Sequence, residues 1–258
     1  MSLNGPTERS HEVLSPQFVH PNFRDLGGHH CIGGKKIRKG CLFRSSHLGI
    51  LGDEARREIE EIGFTHIFDL RGCNERLAAP CTLNDVEIIS LPIEPVVESV
   101  LMAHLSGAVP LDNVKLEQIG IDAMCASYRQ MVHALVKPAR KILEYFVSDQ
   151  IGKMVVHCNA GKDRTGLMSA LFLRMLEVPN KRIVGDYLLS NRFLKIDPTK
   201  YPGIDQKILT IAGSVDERFL LAAWREMEDS FGGFNRYLER ELGINKTARN
   251  ILANKWLS

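Results

Sequence analysis

At 258 residues, 44% hydrophobic and 25% charged, the chain has the composition of an ordinary globular protein with a sizeable core, which excludes the disordered and fibrous classes. Lys and Arg number 33 against 31 Asp and Glu, a formal net charge of +2 that is too balanced for nucleic acid to be the main partner. No apolar run approaches the roughly 18 residues of a membrane-spanning helix, so no integral membrane segment is expected. Six cysteines (Cys31, Cys41, Cys73, Cys81, Cys125, Cys158) lack CxxC spacing and follow an N-terminus without a signal-like apolar region, which points to a reducing, cytoplasmic compartment.

Residues 1–15 are polar and carry Gly5 and Pro6, predicting a flexible, dispensable tail ahead of one domain over 16–258. In 18–46, Gly27-Gly28, Gly33-Gly34 and Gly40 separate short apolar or basic runs, which predicts small strands joined by hairpin turns. His29, His30, Cys31, Cys41 and His47 invite a zinc reading, but none of their spacings fits a finger or ribbon. Asp53 is placed to cap a helix over 53–62, with Ala55, Ile59 and Ile62 at helical spacing and Gly63 to end it. THIFDL at 65–70 reads as a buried strand. It puts Asp69 and Arg71 at the strand's C-terminal end, where open α/β sheets carry ligand crevices; a buried ion pair is the equal alternative. A second short strand over 86–91 ends at Pro92.

Over 96–126, Gly107, Pro110 and Gly120 break three short apolar segments. The stretch reads as a lid over the crevice or as a packed helical insertion, the latter favoured because Val97, Val100, Leu101 and Leu105 need a surface to cover. Tyr128, Met131, Val132 and Leu135 mark one helix, and Ile142, Tyr145 and Phe146 another after Pro138. After Pro179, Ile183, Val184, Tyr187 and Leu188 form a helical stripe reaching about Phe193, and three more helical segments follow, broken at Gly232-Gly233 and Gly243. The sum is one α/β domain with a helical C-terminal half.

The chemistry concentrates in KMVVHCNAGKDRTGLM, residues 153–168. An apolar strand leads to His157 and Cys158, a glycine-containing turn follows, and a helix begins near Arg164. In such a loop successive N–H groups point inward and the helix adds its positive dipole end, so the loop suits a phosphate-sized anion and favours the thiolate of Cys158. Cys158 and Arg164 are spaced so that a thiolate attacks phosphorus while a guanidinium holds two of its oxygens. Thr165 is placed to donate to the sulfur, and His157 to orient the loop. The leaving group needs a proton: Asp163 within the loop and Asp69 outside it are both candidates, and the balance of pulls on Asp163 from substrate, Lys162 and Arg164 is not decidable from spacing. A nucleotide-loop reading fails, because Gly161-Lys162 is followed by Asp163 and Val156 stands where the first glycine belongs. A lone core cysteine would leave Gly161, Arg164, Thr165 and Gly166 unexplained. Two other classes stay in view: a phosphate-binding regulator that keeps the loop, and a redox-sensing thiol with Cys73 or Cys81 brought close by folding.

HCNAGKDRTG is similar to the HCxxGxxR signature of cysteine-dependent protein tyrosine phosphatases. NFRDLGG at 22–28, LFRSSHL at 42–48, FDLR at 68–71, the AGKDRTG loop and DYLLSN at 186–191 resemble, in order, the atypical PtpB and LipA type of bacterial and fungal phosphatases, with FGGFNRYLERELG similar to its tail. The resemblance implies a cysteine-phosphatase fold, a central mainly parallel sheet flanked by helices, and a metal-free reaction without cofactor. It implies Cys158 as nucleophile, Arg164 as phosphate clamp, Asp163 as general acid and a phosphoinositide association for Lys162. From the chain itself, Asn159, Ala160, Gly161 and Gly166 complete the expected phosphate site, with Asp69 and Arg71 as its expected opposite wall. The implied partners are a phosphate ion in the loop and a phosphorylated protein or phosphoinositide substrate, phosphotyrosine foremost.

Overall fold

Short apolar segments, each running into a polar or glycine-bearing loop, form a five-stranded sheet in this computed structural model, which describes residues 20–94, 113–148, 152–193, 199 and 205–258. The strands are β1 (Arg24–Asp25), β2 (Leu42–Ser45), β3 (His66–Asp69), β4 (Glu87–Ser90) and β5 (Met154–His157), in the order β1-β2-β5-β3-β4. Only β1 runs antiparallel to its neighbour. The registers Ser45↔His157 and Asp69↔His157 bring the ends of β2, β5 and β3 level, so Cys158 emerges from the middle of the sheet's C-terminal edge.

Alternation along the strands fills two cores, as a parallel sheet buried on both faces requires. Phe43, Ile67 and Val155 pack with Phe23, Ile59 and Phe64 beneath α1 (Asp53–Ile62). Leu42, Phe68, Met154 and Val156 face the larger core. That core is built from α3 (Asn113–Ala134), α4 (Val136–Val147), α5 (Arg164–Met175), α6 (Asn180–Leu188), α9 (Glu217–Phe231) and α10 (Lys246–Trp256); α2 (Cys73–Ala78), α7 (Ser190–Phe193) and α8 (Gln206–Gly213) are shorter. In α5 only Arg174 escapes full burial, which is why its sequence from Leu167 to Met175 is otherwise apolar but for the small Ser169. Trp256 closes the C-terminal helix onto α4, its ring 4.5 Å from that of Phe146 and its indole N–H donating to Phe146 O at 3.1 Å. The mainly parallel sheet flanked by helices and the helical C-terminal half agree with the expectation from sequence.

Two local expectations need correction. Asp53 is the first helical residue of α1 and Gly52 holds the capping position, so Asp53 and Glu54 act on the helix dipole instead. Gly120 does not break the chain: α3 runs through it, because a side chain there would press on Ile211 of α8 (3.0 Å from an added Cβ), and the close packing of the two helices takes the glycine. The tail over 1–15 and the 96–112 part of the expected lid or insertion lie outside the described residues. Among the described residues no helix is long and apolar enough to cross a membrane.

Candidate active site

The loop between β5 and α5 places Cys158 on its floor, 2% exposed. Among the described residues none of the main-chain N–H groups of residues 159–164 donates to another main-chain group, so they and the first turn of α5 supply open donors. Gly161 is where the turn is tightest: its φ is +69°, and an added Cβ would lie 2.3 Å from Ser45 O. Asn159 is exposed, Ala160 partly so, and Gly161 and Lys162 are buried. Gly166 lets Tyr187 and Arg44 pack against the start of α5.

Arg164 is held by Glu75 of α2 through two parallel bonds, Nη1 to Oε2 at 2.5 Å and Nη2 to Oε1 at 2.7 Å, with Nη1 also donating to Ile93 O at 3.1 Å. Counting the five guanidinium hydrogens, Nε–H and one Nη2–H have no partner among the described residues. They lie on adjacent nitrogens of one planar fork, the pair that matches two oxygens of a phosphate. Burial works against both charges, but each favours the other: Arg164, helped also by Cys158, is raised and the Glu75 carboxyl lowered. Glu75 has no local sequence signature, since a clamp arginine's partner is fixed only by tertiary proximity.

Asp163 is half-buried, and its Oδ1 accepts from Tyr128 Oη at 2.8 Å. Tyr128 in turn lies 2.7 Å from Tyr187 Oη. Burial and the neighbouring Asp163 keep the Tyr128 phenol far above its ordinary pKa, so it stays a hydrogen-bond donor. Lys162 Nζ is turned to the carbonyl end of α8, donating to Ala212 O and to Ser214 O (3.2 Å), with Asp163 Oδ2 at 3.5 Å.

Asp69 and Arg71 are spent on each other. Arg71 donates from Nε to Oδ1 at 2.9 Å and from Nη2 to Oδ2 at 2.7 Å, both residues are buried, and Arg71 Nη1 reaches Ala79 O at 2.7 Å. Burial opposes the Asp69 charge, yet the Arg71 bonds prevail and hold the carboxyl below its ordinary value. His157 is fully buried; its Nδ1 donates to Cys158 O at 3.3 Å, and Nε2 stands 3.8 Å from Asp69 Oδ2. Burial lowers its pKa to about 4, so it is neutral at physiological pH. Thr165 Oγ1 is buried without a hydrogen-bond partner among the described residues, one residue from Arg164. Among the described residues no three His, Cys, Asp or Glu side chains converge as metal ligands, and all six cysteines are free.

A thiol on the floor of a loop with open N–H groups, followed by a tethered guanidinium, is an arrangement suited to binding a phosphate-sized anion. The profile of the Tyrosine phosphatase family matches residues 19–258, and the chain belongs to that family. A Cupriavidus necator protein that carries a tyrosine-protein phosphatase name is 27% identical over 238 residues, 87% of this chain and 82% of that one. The triple specificity protein phosphatase PtpB of Mycobacterium tuberculosis is 25% identical over 265 residues, 89% of this chain and 94% of that one. Among solved structures, the core catalytic domain of the PP-IP phosphatase SIW14 from S. cerevisiae overlaps 80% of this chain and 94% of its own with a TM-score of 0.38 at 17% identity, a likeness too slight to guide the chemistry.

Proposed function

We propose that the chain hydrolyses phosphomonoesters, phosphotyrosine in proteins foremost, through a cysteinyl-phosphate intermediate. The observation that carries this reading is the pairing of the Cys158 floor with the two unpartnered hydrogens of the Arg164 fork, in a loop with open main-chain donors.

The Cys158 thiolate attacks phosphorus and the P–O ester bond breaks; the proton the leaving oxygen needs comes from Asp163. Charge on the transferring oxygens is met by the loop N–H groups and Arg164 without reorganisation. In the second step water attacks the cysteinyl phosphate, Asp163 takes the water's proton, and phosphate departs as the thiolate reforms. Thr165 Oγ1, having no other partner among the described residues, donates to the departing sulfur. Asp163 is preferred to Asp69 as the acid because it lies in the loop and is partly exposed, whereas Asp69 is buried and saturated by Arg71. Phosphotyrosine is supported by family membership and by the names of the C. necator and M. tuberculosis relatives, the second of which admits a broader range. Lys162, the residue that would answer a second phosphate on a lipid headgroup, is engaged by the carbonyls at the end of α8, which favours protein over phosphoinositide substrates. Six free cysteines suit a reducing compartment such as the cytoplasm.

Initial rates on phosphotyrosine, phosphoserine and phosphothreonine peptides beside phosphoinositides test the reading. Highest kcat/KM on phosphotyrosine is expected; a marked lipid preference would overturn the substrate assignment, and phosphate binding without turnover on any of them would make the chain a binding module.

A further inference from the structure

Three stretches outside the loop, NFRD at 22–25, FRSS at 43–46 and DYLLS at 186–190, meet behind it in one buried polar cluster. Its centre is Asp186, which accepts from Arg24 Nε on Oδ1 and from Arg44 Nη1 on Oδ2, both at 2.7 Å, while Arg24 Nη2 donates to Asp186 O at 2.9 Å. Ser190 Oγ lies at 3.4 Å from Arg44 Nη2 and 3.5 Å from Arg24 Nη2. Arg24 Nη1 donates in turn to Asn22 Oδ1, which fixes which way the Asn22 amide faces.

The two free ends of this cluster terminate on the loop. Asn22 Nδ2 donates to Gly161 O at 2.8 Å and to Ala160 O at 3.1 Å, and Arg44 Nη2 donates to Gly161 O at 2.7 Å. The neighbouring carbonyl, Asn159 O, is taken by the His47 N–H at 2.8 Å. Three successive carbonyls are therefore pinned outward. A peptide unit's C=O and N–H point in opposite directions, so a carbonyl pulled back turns the next residue's N–H forward into the cradle. Two arginines against one carboxylate also leave one surplus positive charge buried behind the loop, where a low dielectric makes it count for a bound anion.

We propose that Asn22 and Arg44 are positioning residues of the cradle: with Asp186 and Arg24 as their support, they hold the Ala160 and Gly161 carbonyls outward so that the N–H groups of residues 161 and 162 face the phosphate. The inference rests on the loop being the phosphate site.

Asn22 offers a clean test because its φ is +60°, a conformation glycine takes freely, so Asn22→Gly removes the carboxamide and leaves the backbone turn in place. The full-length parent and variant are compared for kcat and KM on an aryl phosphate, for inhibition by vanadate, and for thermal unfolding. Expected is about a tenfold or greater fall in kcat with a matching weakening of vanadate inhibition, measured well below the unfolding temperature. A merely structural role would lower the unfolding temperature and leave kcat per folded molecule and vanadate inhibition within about twofold of the parent, and that result would overturn the proposal. Should Asn22→Gly not fold, Arg44→Lys is decisive, since a lysine keeps the charge but has no fork to span Asp186 and Gly161 O; it is expected to lose vanadate affinity, and retention would overturn the proposal. If the parent itself shows no turnover, the functional reading fails, while the difference in vanadate binding between parent and variant still decides the role of Asn22.

Discussion

Glu75 grips Arg164 through both oxygens, at 2.5 and 2.7 Å, and leaves the guanidinium's Nε–H and one Nη2–H without a partner among the described residues. On the proposed mechanism the carboxylate is the stop against which the Arg164 clamp is set. Glu75→Gln keeps the shape and removes the charge. Turnover of an aryl phosphate is expected to fall about 10- to 100-fold in kcat/KM, with the unfolding temperature little changed. Unaltered kinetics would mean that Arg164 is oriented by the Leu70 and Ile93 carbonyls alone.

The Tyr128 hydroxyl aims the Asp163 carboxyl from 2.8 Å away. Asp163→Asn is expected to slow alkyl or poor aryl leaving groups about 100-fold while sparing activated aryl phosphates, which need no proton. Tyr128→Phe should show the same selectivity at about a tenth of the size, because it misplaces the acid without removing it. Equal losses on good and poor leaving groups would assign Tyr128 to packing, and the Asp163 pattern appearing in Asp69→Asn would move the acid.

Much of this site is legible in the sequence because its chemistry is consecutive. One strand, one turn and one helix supply the cradle, so Cys158, Gly161, Asp163, Arg164 and Thr165 announce themselves by spacing. The mainly apolar run of α5 after Gly166 and the short strands before it are equally local. Glu75 is not legible, since it meets Arg164 across 89 positions and any of many carboxylates would satisfy the same need. Asn22, Arg44 and Asp186 stand out as motif residues, yet their common target appears only when β1, β2 and α6 converge. Gly120 misleads for the same reason: glycine in a helix signals a break until Ile211 is found pressed against it. Asp69 and Arg71, evenly poised in the sequence between crevice and ion pair, sit two apart at the end of β3 and satisfy each other.

Lys162 ties the loop to the C-terminal end of α8 through Ala212 O and Ser214 O. Lys162→Met is expected to speed amide hydrogen exchange over residues 206–214 and to lower aryl phosphate turnover only about threefold, in keeping with a tether outside the reacting atoms. Unchanged exchange with a loss of about 100-fold or more in turnover would place the ammonium on the substrate instead.

Stability should fall with acid because of His157. Its folded pKa of about 4 lies below the ordinary 6.5, burial being the cause, so between those values the unfolded chain binds a proton that the folded chain refuses. The neutral histidine's contribution is complete above pH 6.5 and is lost as pH falls toward 4, amounting to about 3 kcal/mol. Asp69, Glu75 and Asp186, all with lowered pKa values, add losses below the ordinary carboxylate range. His20, His29 and His47, likewise lowered by burial, add to the decline that denaturant unfolding from pH 7 to 4 should show, so His157→Gln should make it shallower without abolishing it; an identical slope in the variant would contradict the assignment.

The direct test of the account is acid-quenched mass spectrometry of the enzyme turning over phosphotyrosine peptide, beside Cys158→Ser. One phosphoryl group on the peptide containing Cys158, absent from the serine variant, which binds phosphate but does not turn over, is the expected result. A phosphoryl group on another residue, or turnover retained by Cys158→Ser, would contradict it.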